Sequence, residues 1–243
     1  LSIISRSVTD ISFSQKDEAG ARAYSAAEAG IERALLSGGL VLSGSLPSGD
    51  QFSANIVGIA TGGKEYVVAL PLSSGETAPI WFVSHDENKE IACSDSFPCS
   101  LGSALKICWG EEGTSGSTDT TPALEASFLY TSTDEASSAQ IARAAYDPNS
   151  ARSNNFTKGS DGECTIESKK FAFSKNIDLT SLGITIRDQV KKLKGLQSAR
   201  IKLLYNTDRT HSVGIVITSS SGVFPRQGSK ITSDGTSSGS SRK

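Results

Sequence analysis

LSIISRSVTDISFSQKDEAGARAYSAAEAGIERALL, residues 1–36, decides how the rest of the chain is read. Apolar residues recur as Val8, Ile11, Ala19, Ala23, Ala27, Ile31 and Leu35, mostly four apart, and Tyr24, Ala26 and Ala34 widen the stripe. That spacing is the period of an amphipathic helix. Asp17, Glu18, Arg22, Glu28, Glu32 and Arg33 supply the polar side, with Glu18 and Arg22 one turn apart. Gly38-Gly39 offers a left-handed stop. At 1.5 Å per residue the helix is about 50 Å long, more than packing in a domain of this size requires. Its two halves therefore carry separate expectations. Ala19–Leu36 is thin and alanine-rich and covers a sheet, whereas Leu1–Phe13 faces partners. Leu1, Ile3 and Ile4 read as the last turn of an apolar run that has been cut.

After Gly39 the period changes to two. Strands are predicted at Phe52–Ala60, Tyr66–Leu70, Ile80–Val83, Leu105–Trp109, Ala123–Tyr130, Lys170–Phe173, Arg200–Tyr205 and Ser212–Thr218, with a last one starting at Lys230. Gly, Ser, Thr and Asp clusters between them mark turns. Ile184–Leu193 suggests a second helix, and Ser137–Ala145 fits either helix or strand. The fold class expected is α+β: a long N-terminal helix packed on an antiparallel sheet, with an inserted β-sandwich-like region. The boundaries expected are 1–78 for the helix and first strands, 79–182 for the insertion and 183–243 for the strands completing the sheet. The insertion is drawn there because it holds all four cysteines, both tryptophans and the longest loops.

A length of 243 residues allows one large β-rich domain or two small ones. The net charge of −2 gives no bulk attraction for nucleic acid or an anionic membrane surface. Charge is nevertheless uneven, with seven acids and one base from Gly110 to Asp147 and ten bases and four acids from Glu167 to Arg209. The chain contains no Met and starts at Leu1, and no run reaches the roughly 18 apolar residues of a membrane span. Cys93, Cys99, Cys108 and Cys164 make an even set, as in exported disulfide proteins. Cys93 and Cys99 close the shortest loop, at the least entropy, which leaves Cys108 with Cys164. Zinc is the rival reading, against which stand the presence of only two histidines and the absence of CxxC.

No catalytic constellation is found. His85 and His211 are both read as polar loop residues, and GxSxG and GxxxxGK[ST] are absent. Oxygen-rich loops at His85–Glu90 and Asp147–Asn155 make Asp86, Asp147 and Asn149 calcium candidates, although the EF-hand glycine is missing. No other cofactor is expected. Trp81 and Trp109 lie in the apolar runs PIWFV and ICWG and are expected in the core. Asn155-Phe156-Thr157 fits a glycosylation sequon. Lys191, Lys192 and Lys194 lack interleaved aromatics, and a nucleic-acid partner is not expected.

AYSAAEAGIERALL, Ala23 to Leu36, resembles the helix of PilX-type minor pilins and related type IV pilin-like proteins, in which an apolar helix leads into (A/F)xAAEAG(I/L). VFPRQGSKITSDGTSSGSSRK, Val223 to Lys243, resembles that family's LPxQGxxIxSxGTSGxxxRK stretch. Together these cover about a quarter of the chain, at its two ends. The resemblance implies a structural, non-enzymatic subunit of a type IV pilus or pseudopilus, on the cell surface and membrane-anchored before assembly. Its partners would be other pilin subunits and, through an apolar segment missing before Leu1, the membrane. The family's cleavage signal is absent from this chain. The implied assembly helix includes Leu1, Ile4, Val8, Ile11, Ala19, Ala23, Ala27 and Ile31. The alternative is a surface adhesin whose inserted β-sandwich binds a glycan or protein ligand.

Overall fold

In the computed structural model, the alanine-rich half of the N-terminal helix lies on a sheet built from both ends of the chain. Residues 2–37, 41–60, 62–86, 88–187, 193–220 and 222–243 are described. Leu1 and Gly38-Gly39 lie outside them, as do Lys191 and Lys192, and so do the side chains of Ile4, Val8 and Ile11. Contacts divide the chain into two compact units, 1–59 with 228–243, and 60–227.

The first unit holds the helix α1 (Ser2–Ser37) and four antiparallel strands. These are β1 (Val41–Ser45), β2 (Gln51–Ile59), β15 (Gly228–Ser237) and β16 (Ser240–Arg242), in the order β1-β2-β15-β16. Strand β2 alternates, so that Phe52, Ala54 and Ile56 are buried while Gln51, Ser53 and Asn55 are exposed. The helix meets the sheet through Ala19, Gly20, Ala23, Ala26, Ala27, Gly30 and Ala34, all buried. Small side chains let the two backbones come close. A Cβ on Gly235 of β15 would lie 1.9 Å from the Ala23 carbonyl oxygen and 2.5 Å from the Ala27 nitrogen. Ala34, Ala54 and Ile56 form a small core to which Leu42 and Ile231 add. The Arg33 guanidinium lies 5.0 Å from the centre of the Phe52 ring. Glu18 and Arg22 pair at 3.6 Å on the exposed side, worth a few tenths of a kcal/mol.

Among its described residues, the regular structure of the second unit is all β apart from two short 3-10 turns. Its first sheet contains β4 (Thr77–Trp81), β8 (Ala123–Thr131), β9 (Ala139–Asp147), β10 (Thr157–Lys158) and β13 (Gly195–Leu204), in the order β10-β9-β8-β13-β4. Its second contains β3 (Glu65–Val67), β7 (Ala104–Glu111), β11 (Cys164–Ile166), β12 (Lys169–Asp178) and β14 (Val213–Ile217), in the order β11-β12-β7-β14-β3. The pair β5 (Ser84–His85) and β6 (Ile91–Ala92) stands apart from both. All pairs are antiparallel except the short β10–β9 pair. Alternation buries Leu124, Ala126 and Phe128 of β8, and Ala199, Ile201 and Leu203 of β13. In the other sheet Leu105, Ile107 and Trp109 of β7 are buried, as are Val213, Ile215 and Ile217 of β14. This is a β-sandwich-like unit. The Trp109 indole N–H donates to the Pro122 carbonyl at 2.8 Å, so its one polar atom is satisfied in the core.

A smaller core lies where β11 adjoins β7 and β14. Cys108, Ile166 and Phe171 are buried together, and Gly214 leaves the room: a Cβ there would meet Ile166 at 2.7 Å. The disulfides are Cys93–Cys99 and Cys108–Cys164.

The α+β class is overturned. Strand accounts for 44% of the chain, in sixteen strands and four sheets among the described residues, with one long helix. The fold is mostly β because β3, β13 and β14 pair inside unit 60–227 and not with β2, where the sequence had placed the flanking strands. The expected break points, 78/79 and 182/183, fall within that unit. Ile184–Arg187, expected to open a second helix, has no regular structure, and residues 188–192 lie outside the described set. Of Ser137–Ala145, expected as helix or strand, Ser137 and Ser138 end a 3-10 turn and the rest lies in β9. No helix of the described residues is long and apolar enough to cross a membrane.

Candidate functional site

The helix has a second apolar stripe besides its alanine face. Phe13, Tyr24, Ile31 and Leu35 are spaced eleven, seven and four residues apart, which brings them within about 40° of one another on the helix. They are 62%, 54%, 37% and 67% exposed. The stripe is about 33 Å long and lies roughly a quarter turn from the face that packs on the sheet. Of the expected assembly positions, Ala19, Ala23 and Ala27 are buried against the sheet, and Ile31 belongs to the exposed stripe. Phe13, Tyr24 and Leu35 are not among the expected assembly positions. Their spacing would have identified them, had the alanines not defined the apolar face first.

The calcium candidates are drawn into other bonds. Asp147 is fully buried at the end of β9. Arg152 Nη1 contacts its two oxygens at 2.9 and 3.0 Å, Asn154 Nδ2 donates to it at 2.6 Å, and the Asn149 N–H donates at 2.9 Å. Arg152 Nη2 reaches the carbonyls of Thr118, Asp119 and Thr121 at 3.0–3.2 Å. The same guanidinium lies 4.0 Å from the centre of the Tyr205 ring. Lys158 Nζ donates to the Arg152 carbonyl and to Asn154 Oδ1. The positive charge beside Asp147 is thus supplied by a guanidinium, and the knot ties three loops together. Asn149 is spent on the Thr118 carbonyl and the Ala151 N–H. Asp86, on the loop after β5, accepts the N–H groups of Asn88 and Glu90. Among the described residues, no group of three or more His, Cys, Asp or Glu is placed to hold a metal.

His211, read from sequence as a turn residue, is 1% exposed. It is held there because its backbone bridges to Leu72. Its Nδ1 accepts the Glu111 N–H at 3.0 Å, which fixes the tautomer with the proton on Nε2. Burial, and then the Arg209 charge, hold its pKa below the usual 6.5. Glu111 Oε1 accepts the Ser212 N–H and hydroxyl at 3.1 and 2.7 Å and pairs with Lys169 at 3.4 Å. Burial pushes the Glu111 carboxyl up, but the Ser212 bonds and Lys169 outweigh it and hold the group below its usual range. The cluster brings together a histidine, an acid, a serine and a lysine. Yet the Ser212 hydroxyl belongs to a residue 2% exposed and donates to Glu111, and the accepting nitrogen of His211 is taken by a backbone amide. As arranged, it pins β14 to β7 and β12.

His85 is exposed and stands edge-on to Trp81, with ring centres 5.2 Å apart. Trp81 is 41% exposed, which corrects its expected place in the core; Ile80, Phe82 and Val83 are the buried residues of PIWFV. A recess of about 410 Å³ beside the Cys93–Cys99 disulfide is lined by Ser94, Asp95, Pro98 and Leu101. Arg187 lies near that disulfide, its Nη1 3.8 Å from Cys93 Sγ. Burial pulls its pKa down to about 10, with the Asp134 charge opposing.

No protein-family model matches the chain, and no curated protein does. Two solved structures overlap it weakly. A chain from the structure of infectious bursal disease virus Gx strain shares 12% identity at a TM-score of 0.18, over 76% of this chain and 40% of the viral one. Clostridium perfringens delta-toxin shares 5% at 0.13, over 80% and 86% of the two chains. The chain thus spans less than half the length of the viral protein, and neither overlap carries an argument. What the fold itself defines is a disulfide-bonded, mostly β protein with a sandwich-like unit and one long N-terminal helix.

Proposed function

We propose that this chain is a structural subunit of a type IV pilus-like filament, assembling through its N-terminal helix and displaying the β unit at the cell surface. The observation that carries this reading is the Phe13, Tyr24, Ile31 and Leu35 stripe. Water-facing apolar side chains in a single line about 33 Å long are what a helix keeps when its other side is to be covered by a partner. The alanine–glycine face supports the reading, because it uses up the small residues on the chain's own sheet and leaves the large ones outward. Two disulfides suit an oxidising, extracellular setting. The role is structural and not catalytic, in keeping with the way His211 and Ser212 are used to join strands.

The test is incorporation. The gene is expressed with its native upstream sequence in its own host, with Tyr24→Cys or Leu35→Cys, and sheared surface filaments are oxidised. Cysteine-linked dimers are expected in the filament fraction, and Tyr24→Glu with Leu35→Glu is expected to leave a folded, unassembled subunit. A protein absent from every filament and membrane fraction would end the proposal.

A second reading, a surface adhesin acting through unit 60–227, is favoured by one observation, the exposure of Trp81 on the outer face of a sheet.

A further inference from the structure

The outer face of the sheet β9-β8-β13-β4 carries an ordered set of side chains. Strand register places Ile141, Leu129, Ser198 and Trp81 in one transverse row, each directly opposite the next. Three of the four are large, apolar and exposed, at 59%, 40% and 41% for Ile141, Leu129 and Trp81. The neighbouring row is Arg143, Ser127, Arg200 and Pro79. Arg143 and Arg200 are exposed. Among the described residues, neither has a carboxylate within ion-pair distance, whereas Arg152, Lys158, Lys169, Lys170, Lys175 and Arg209 of this unit do.

The tryptophan is held in place. β4 is an edge strand, and the Gln227 side chain takes the place of a neighbouring strand. Its Oε1 accepts the Trp81 N–H at 2.9 Å and its Nε2 donates to the Trp81 carbonyl at 2.8 Å. Gln227 is itself anchored on the Pro225 carbonyl at 3.0 Å, and His85 braces the indole from the side. An exposed aromatic fixed at both backbone groups is a pre-organised platform.

Size and charge choose the occupant. Four strands about 4.8 Å apart and two to three rows about 7 Å apart give roughly 200 Å². A stable protein–protein contact needs about 800 Å² per partner, so the face is too small for a second copy or a folded partner. It suits a chain lying across the strands. The two unpaired guanidiniums, two strands and therefore about 10 Å apart, call for repeated anions of planar or forked geometry.

We infer that the row Trp81–Leu129–Ile141 with Arg143 and Arg200 binds an extended acidic polysaccharide, bearing carboxylate or sulfate on alternate sugars. Sugar C–H faces stack on Trp81 and the aliphatic row, and the acid groups meet the arginines. This inference rests on the adhesin reading of unit 60–227.

The experiment is affinity electrophoresis of the full chain in gels containing chondroitin sulfate, polygalacturonate or neutral dextran, with a thymidine oligonucleotide as competitor. Retardation is expected in the two acidic gels and not in dextran, weakening with salt. Chondroitin sulfate alone would place the acid as sulfate, and both gels would place it as carboxylate. Trp81→Ala, and Arg143→Gln with Arg200→Gln, are each expected to weaken binding at least tenfold. Lys170→Gln, off this face, leaves it unchanged. Circular dichroism and melting curves establish that each variant is folded. Retardation untouched by these substitutions overturns the inference, as does stronger binding of the oligonucleotide. If acidic polysaccharides fail but a neutral glycan on an array binds and is lost with Trp81→Ala, the adhesin reading survives and the acidic ligand falls. If no glycan binds, both fall.

Discussion

The Ala23 carbonyl oxygen occupies the space in which Gly235 would carry a side chain, 1.9 Å from an ideal Cβ. Helix and strand backbones are therefore in direct contact, and neither can yield without moving a whole element. Gly235→Ala is expected to destabilise the first unit by about 3 kcal/mol, at the upper end for overpacking. Helical circular dichroism during urea titration reads it out, with earlier proteolysis in α1 as a second signal. Gly228→Ala is the comparison, since the nearest atom to its Cβ lies at 3.9 Å.

Asp147 is buried, and its pair with Arg152 joins the loop after β9 to the loop before β8. Arg152→Met leaves a buried carboxylate without its guanidinium and is expected to cost about 3–5 kcal/mol. Asp147→Asn added to it removes the stranded charge and recovers part of the loss. Trp109 fluorescence in urea follows this unit, and equal losses in the single and double variants would refute the account.

His211 sets a pH dependence. Its folded pKa is depressed, by burial first and Arg209 second, with Asp208 and Glu111 opposing. The unfolded chain therefore binds the proton more readily, and stability rises with pH through this window. The contribution is full above the unfolded value of 6.5 and is lost as pH falls from there through the folded pKa. The depressed carboxylates Glu111 and Asp161 act lower, where pH falls below their ordinary values of 4.5 and 3.8. Melting temperatures between pH 7 and 5 are expected to drop in the wild type and to flatten in His211→Asn.

The two disulfides differ in the loops they close, with separations of 56 and 6 residues. By loop entropy, Cys108→Ala with Cys164→Ala costs about 4 kcal/mol, and Cys93→Ala with Cys99→Ala about 2 kcal/mol. Urea midpoints of the two double variants are expected in that order.

How far the sequence could be read depended on whether the signal was local. β2 and β15 were visible, one in its alternation and the other from Lys230 onward, and the short Cys93–Cys99 loop was visible in its spacing. The sheet membership of β3, β13 and β14 was not, because nothing in a strand's own residues names a partner a hundred positions away. PIWFV hid Trp81 because an unbroken apolar run conceals which phase of a period of two points inward; Ala78, Ile80 and Phe82 take that phase. His211 looked polar and exposed until Leu72 was seen opposite it. The arginine-bearing sheet face could not be read at all, since Arg143 and Arg200 become neighbours of Ser127 only through register.

The sheet under α1 is completed by β15 and β16, and the whole of unit 60–227 comes between β2 and those strands. During synthesis the helix is followed at once by β1 and β2, whereas β15 and β16 come last. The β unit can finish folding while the part of the alanine face around Ala23 and Ala27, which β15 covers, is still bare. Throughout that interval a partner that captures the nascent helix competes with the chain's own C-terminal residues for that stretch of the helix.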